Sequence, residues 1–412
     1  MAEVNLADYD RYGFKVESQH VSRQQWEKMH ATVVNSDKKH LPKWDALFRS
    51  NRGELPERSD KSMVFLEQYP VPRWFPAFRR SSGVRYNLDS LLCVHAIMNV
   101  CVRCVWLKYS GALDRMDMNP GVYLAMVGRE RQQIDRGVHP VNEFVDIIER
   151  DLNRTFPDNL YFRADPPIAA PAPPYWPGNA APDGPISLIA SLRRVLVAFS
   201  FFNAEIGYCQ SLNYIVGLLL LFMSEEEAFW TLVVITENLL PAGMYTKTLS
   251  GTITEMKVFK DIVKDKCKPI LTKVKEGGIV ELDMLTSPWF LTLYINVLPN
   301  ECVLRLWDTF FYEGSKILYR IALAVLKLIE SDVIKLKDAM EVVQYIQTAP
   351  KRMTDVDKLM KAAFQRFGSK AVGHLSHHDI DRKRNEASAA LNGGSASPSA
   401  RPSTSSSLSS RS

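Results

Sequence analysis

The sequence predicts an all-α fold, and three observations carry that prediction. Apolar residues recur at helical spacing over most of the chain beyond Leu88. Strand-like alternation is scarce, and no glycine-rich nucleotide loop of the GxGxxG or GxxxxGKS/T type breaks the pattern. At 412 residues, 46% hydrophobic and 24% charged, the chain can bury a full core as one large domain or two smaller ones.

Taken in order, residues 1 to about 85 mix charge, tryptophan and short helical stretches, the first 60 forming an N-terminal extension. Ser22 followed by Gln25 is a capping-box signature that opens a helix toward Val34. In "HPVNEFVDIIERDLNRTFP", Val141, Phe144, Val145, Ile148 and Leu152 form one apolar helical stripe. At about 100° per residue, Asp151 flanks that stripe and Arg154 points away from it. Pro157 stops the helix just after. Spacing alone reads Arg154 as an exposed arginine in a local ion pair with Asp151.

The insertion at 164–185, "ADPPIAAPAPPYWPGNAAPDGP", is too dense in proline for a helix and reads as an extended loop. For its Tyr175 and Trp176, docking on the chain's own domain is favoured over docking on a partner. Next, "SLIASLRRVLVAFSFFN" places Leu188, Leu192, Val195, Leu196 and Phe199 on one face, with Arg193 and Arg194 outside it. The apolar run Tyr214 to Met223 is too short to span a bilayer and ends in Glu225, Glu226 and Glu227, so it reads as a buried helix. Gln210 lies between a glycine turn and this run. Two further apolar stretches follow, and their Trp289 and Trp307 belong to the core. Thr354 and Asp357 start a short helix with Val356, Leu359, Met360, Ala363 and Phe364 on its face, closed by Gly368. Residues 385–412 have too few apolar groups to offset ordering entropy and read as a disordered serine-rich tail.

Composition narrows the function. A net charge of +5, with no basic cluster interleaved with aromatics, argues against nucleic acid. The first residues show no basic segment leading into an apolar one, and six cysteines without framework spacing fit a reducing compartment. The expected setting is cytoplasmic. Cys101 and Cys104 read as packed thiols, and His374, His377 and His378 as a solvated run, so no metal site is expected.

Several segments together carry a resemblance. Ile148-x-x-Asp151-x-x-Arg154 runs into Thr155-Phe156-Pro157, and Gly207-Tyr208-Cys209-Gln210 follows with Asn213. "EEEAFWTLVVITENLLP", "WFLTLY" and "LRLWDTFFYEGSKILYRIALA" come after in the same order. This chain resembles the TBC-domain family of Rab GTPase-activating proteins over about residues 60 to 365, and most strongly between 140 and 325. The resemblance implies a two-lobed helical TBC domain at 61–365. It also implies a GTPase activator that is not an enzyme in its own right. Arg154 and Gln210 would be its catalytic fingers, entering the nucleotide site of a GTP-bound Rab in trans, with Asp151, Tyr208 and Asn213 supporting them. No cofactor of its own is implied, because GTP and Mg²⁺ belong to the partner. Any membrane residence, peripheral on endomembranes, would come through the bound GTPase.

The chain departs from the family pattern in three places. Ser211 follows the glutamine where a glycine is usual. Arg103 stands three residues before Trp106 rather than four, with Val102 in the expected place. The usual glycine-isoleucine-proline lead-in is replaced by "SSGVRYNLDSLLCVHAIMNVC". Two alternatives remain open at this level: a catalytically weak scaffold that binds a Rab without accelerating hydrolysis, and an unrelated helical scaffold.

Overall fold

Ser22 caps the first long helix as its sequence signature requires. Its hydroxyl accepts from the Gln25 amide, and the Gln25 side chain returns to the Ser22 amide. The computed structural model describes residues 5–51, 54–68, 71, 102–137, 142–164, 186–365, 368 and 372–393. Val141, Cys101, the segment before Val102, most of the 164–185 insertion with Tyr175 and Trp176, and residues 394–412 lie outside these.

The described residues are helical and contain no strand beyond one isolated bridge between Tyr9 and Lys15. Helix α1 runs over Arg23–Ser50, far beyond the Val34 expected from its signature, and passes through Pro42. Its inward face of Met29, Asp37, Trp44 and Phe48 holds it together across the proline, which costs one helix hydrogen bond. Then come α2 (Asp60–Gln68), α3 (Val102–Ser110), α4 (Ala112–Asp117), α5 (Val122–Asp135), α6 (Val145–Leu152), α7 (Ile189–Phe202), α8 (Leu212–Leu220) and α9 (Glu225–Val234). The remainder is α10 (Ser250–Lys266), α11 (Lys268–Gly277), α12 (Leu282–Leu291), α13 (Asn300–Glu313), α14 (Lys316–Val333), α15 (Ala339–Thr348), α16 (Val356–Phe364) and α17 (His377–Gly393).

These helices pack as two groups. Within α3–α9, α7 lies against α5, α6, α8 and α9; within α10–α17, α14 lies against α13 and α16, and α10 against α12 and α17. The groups join where α13 crosses α3. Trp106 of α3 is fully buried there, its ring within 5.2–5.4 Å of Phe222, Trp307 and Phe311. Its indole N–H donates to Asp308 Oδ1 at 3.0 Å, so the one polar atom of the side chain is satisfied inside the seam. Trp289 and Trp307 are core residues as expected, and Trp307 donates to the Leu293 carbonyl at 3.1 Å. Arg103, shifted in register against the family pattern, pairs with Glu227, whose carboxylate also caps α9.

Two boundaries differ from expectation. Asp355, rather than Thr354, caps α16, because its carboxylate reaches the Lys358 amide at 2.9 Å. Helix α17 extends nine residues into the 385–412 segment expected to be disordered. What orders it is contact rather than composition: Ile380 and Ala387 are buried, and Arg384 is forked onto Glu255. His374, His377 and His378 lie exposed around its start. No helix among the described residues is long and apolar enough to cross a membrane.

Candidate functional site

Helix α6 supplies the first half of the site. Ile148 and Leu152 are buried in its stripe, and Phe144 precedes it. The helix ends before Pro157, because the Thr155 hydroxyl donates to the Asp151 carbonyl at 2.8 Å and Phe156 turns the chain at φ +50°. Arg154 therefore sits in the turn that leaves α6, with its side chain 59% exposed.

Asp151 is placed more deeply than its position flanking the stripe suggests, at 1% exposure. One carboxylate oxygen pairs with the Arg154 guanidinium. The other accepts the Tyr208 hydroxyl at 2.6 Å. Those bonds satisfy a buried charge and fix one guanidinium nitrogen, Nη2, at the surface, while most of the arginine side chain stays exposed. The hydrogen bond to Asp151 also raises the Arg154 pKa further above its ordinary value, so the side chain is a permanent cation. Burial, and then the same carboxylate, push the Tyr208 phenol far above its ordinary range, and it remains a donor.

The second half comes from the loop between α7 and α8. Gly207 takes φ +59°, and a Cβ there would lie 2.1 Å from the Phe144 ring, so only glycine permits this approach. Tyr208 then turns inward, Cys209 is half-buried, and Gln210 is exposed. Among the described residues, the Gln210 side-chain amide has no hydrogen-bond partner. Ser211 precedes α8 at φ +139°, and its amide donates to Asn213 Oδ1 at 3.2 Å. Asn213 is buried and donates in turn to the Thr155 hydroxyl at 2.8 Å. Burial raises the Cys209 thiol pKa, which leaves it protonated and unsuited to nucleophilic work.

Two cross-links, Tyr208 to Asp151 and Asn213 to Thr155, thus tie the arginine turn to the glutamine loop. All five candidate residues share this unit. Arg154 and Gln210 project from it, while Asp151, Tyr208 and Asn213 lie within it. Sequence reasoning quoted Thr155 within the motif but gave it no role, although a hydroxyl four residues after Asp151 was a usable signal. It also missed Gly217, where a Cβ would lie 2.9 Å from the Phe156 ring, and no local pattern marks that contact. An exposed cation that donates and an exposed amide that both donates and accepts, on one braced surface, suit the recognition of a polar anionic group.

Comparison with known proteins places the chain. The profile described as Rab-GTPase-TBC domain matches residues 185–334. The chain is 30% identical to the GTPase-activating protein GYP3 of Saccharomyces cerevisiae, over 92% of its own length and 63% of that protein's. It is 34% identical to growth hormone-regulated TBC protein 1 of Xenopus laevis, over 76% of its own length and 83% of that protein's. Against TBC1 domain family member 2A of Mus musculus the identity is 38%, but the chain spans only 24% of that longer protein. The crystal structure of the Chlamydomonas flagellar RabGAP TBC domain superimposes with a TM-score of 0.63 at 27% identity, covering 87% of this chain and 99% of that one. The chain belongs to the TBC-domain family of Rab GTPase-activating proteins.

Proposed function

We propose that this protein accelerates GTP hydrolysis on a Rab-family small GTPase, engaging the GTP-bound form and lending it Arg154 and Gln210 in trans. The observation that supports this reading is the braced pair: two exposed side chains of the right chemistry, on turns joined by buried hydrogen bonds. Hydrolysis spreads negative charge over the transferred phosphoryl group, and a small GTPase alone neither neutralises that charge nor orients the attacking water well. Arg154 supplies a fixed cation and forked donors where charge develops. Gln210 offers a donor and an acceptor together, so it can hold the water and contact a phosphoryl oxygen. An aspartate or glutamate there would add negative charge beside phosphate, and an alanine would leave the water unplaced.

An arginine finger supplied in trans contributes about 10³ to 10⁵ in rate, or roughly 4 to 7 kcal/mol of barrier. GTP and Mg²⁺ are held by the partner, and membrane residence comes through it. Single-turnover GTP hydrolysis over a panel of Rab proteins, with wild type, Arg154→Ala and Gln210→Ala, tests this. Strong acceleration of a few Rabs, lost by about 10³-fold or more in Arg154→Ala, is expected. Rabs that bind in the GTP state without faster hydrolysis would instead make the protein a scaffold.

A further inference from the structure

We propose that the N-terminal segment, residues 6–16, braces the arginine turn, with Phe14 as its positioning residue. This rests on the activator reading above, and it gives part of the N-terminal extension a role in catalysis rather than in stability alone. The turn after Arg154 depends on Phe156, which holds φ +50°, an uncommon conformation for a residue with a side chain. Such a conformation persists only when its surroundings over-determine it. Three rings do so: Phe14 at 5.1 Å and 86°, Phe162 at 5.4 Å and 73°, and Tyr214 at 5.7 Å and 56°. Phe162 follows in the same loop and Tyr214 stands on α8. Phe14 comes from a part of the chain more than 140 positions earlier.

The segment is built to present that ring. Asp10 Oδ1 accepts the amides of Tyr12 and Phe14 at 2.8 and 2.9 Å, which fixes the bend. Gly13 takes φ +81°, with the Tyr161 ring so close that a Cβ would lie 2.7 Å from it. The Leu160 amide donates to the Gly13 carbonyl at 2.9 Å, and the Asn159 side chain to the Tyr12 carbonyl at 3.0 Å. Asn159 is fully buried in doing so. On its other side, Arg11 pairs with Glu301 of α13 at 3.1 Å. Residues 156–162 are therefore held between their own helix group and a strap anchored on the other. Phe14 itself is half-buried beside an open groove of about 590 Å³, so it can be changed without emptying the core.

The test uses the full chain, with Phe14→Ala, Phe14→Leu and Arg382→Ala. A small misplacement of a catalytic group costs up to about a hundredfold in rate. Phe14→Ala is therefore expected to lower the single-turnover rate at saturating activator by about ten- to a hundredfold, with little change in half-saturating concentration. Phe14→Leu, which keeps apolar bulk against Phe156, should recover most of that loss. Arg382→Ala removes only the exposed pair with Glu386 on α17, 2.7 Å long, and should stay within about twofold of wild type. Hydrogen exchange gives a second readout, with faster exchange of the Asn159 and Leu160 amides expected in Phe14→Ala. Unchanged rate and exchange in folded Phe14→Ala would overturn the brace. If wild type accelerates no Rab, the activator reading fails by itself, and the exchange measurement still decides whether Phe14 holds the turn.

Discussion

Ser211 stands at φ +139°, ψ −34°, a region in which a Cβ is crowded and glycine is not. The position is 6% exposed, and its amide is already committed to Asn213, so the backbone has little freedom to relax. Strain of this kind costs of order 1–3 kcal/mol. Glycine would relieve it while adding disorder to the unfolded chain, worth about 0.4–1 kcal/mol in the other direction. The expected net result is that Ser211→Gly stabilises the protein by about 1 kcal/mol, read as a higher urea midpoint. A lower midpoint would mean that the hydroxyl contact with the Gln210 carbonyl outweighs the strain. The departure was legible as a missing glycine in a family pattern. Its physical meaning was not, because a sequence does not print φ. Arg154 and Gln210 are singled out by the family resemblance, because spacing alone reads Arg154 as an exposed arginine in a local ion pair.

At the scale of elements, local signals placed helices well and their ends poorly. The Ser22–Gln25 box and the stripe of α7 appear as read, since both depend on residues within one or two turns of each other. The continuation of α1 through Pro42 and the order of α17 depend on partners far away in sequence. Helix α17 shows the difference most clearly. Arg384 donates to both oxygens of Glu255 at 2.6 and 2.8 Å and to Ser315 at 2.9 Å, while Tyr319 donates to the same carboxylate at 2.5 Å. Glu255 is 2% exposed. Removing one partner of a buried pair leaves an uncompensated charge, which costs about 3–5 kcal/mol. Arg384→Ala is therefore expected to lose about 3 kcal/mol in equilibrium unfolding. A loss below about 0.5 kcal/mol, the scale of an ordinary surface change, would show that α17 is a loosely attached end.

Over the whole molecule, the N-terminal segment joins the two helix groups, and the half-buried carboxyl of its Asp10 makes stability depend on pH. Asp10 is half-buried, and desolvation, the largest effect, pushes its pKa from 3.8 up to about 7 against the Phe14 and Tyr12 amides, with Glu301 adding to the shift and Arg11 opposing it. The folded state therefore holds a proton over a window in which the unfolded state has lost it. Asp10's contribution is fully present below about pH 3.8 and is lost as pH rises through about 7. Asp10→Asn keeps an oxygen for the Tyr12 and Phe14 amides and removes the charge. Its stability relative to wild type should rise steadily between about pH 4 and pH 7. A difference that stays flat across that range would show that Asp10 titrates as an ordinary carboxylate.

The proposed activator role requires the braced pair to serve a transition state rather than a ground state, and binding can be read in both. Transition-state analogues bind far more tightly than ground-state ligands when a catalytic group acts on developing charge. For a Rab that responds, affinity should be measured with the GTPase in its GDP state, with and without aluminium fluoride. Wild type is predicted to bind the aluminium fluoride state at least about a hundredfold more tightly. Arg154→Ala should lose most of that gain while leaving the affinity for the plain GDP state unchanged. If Arg154→Ala keeps the full gain, Arg154 does not reach the phosphoryl group, and it is not an arginine finger.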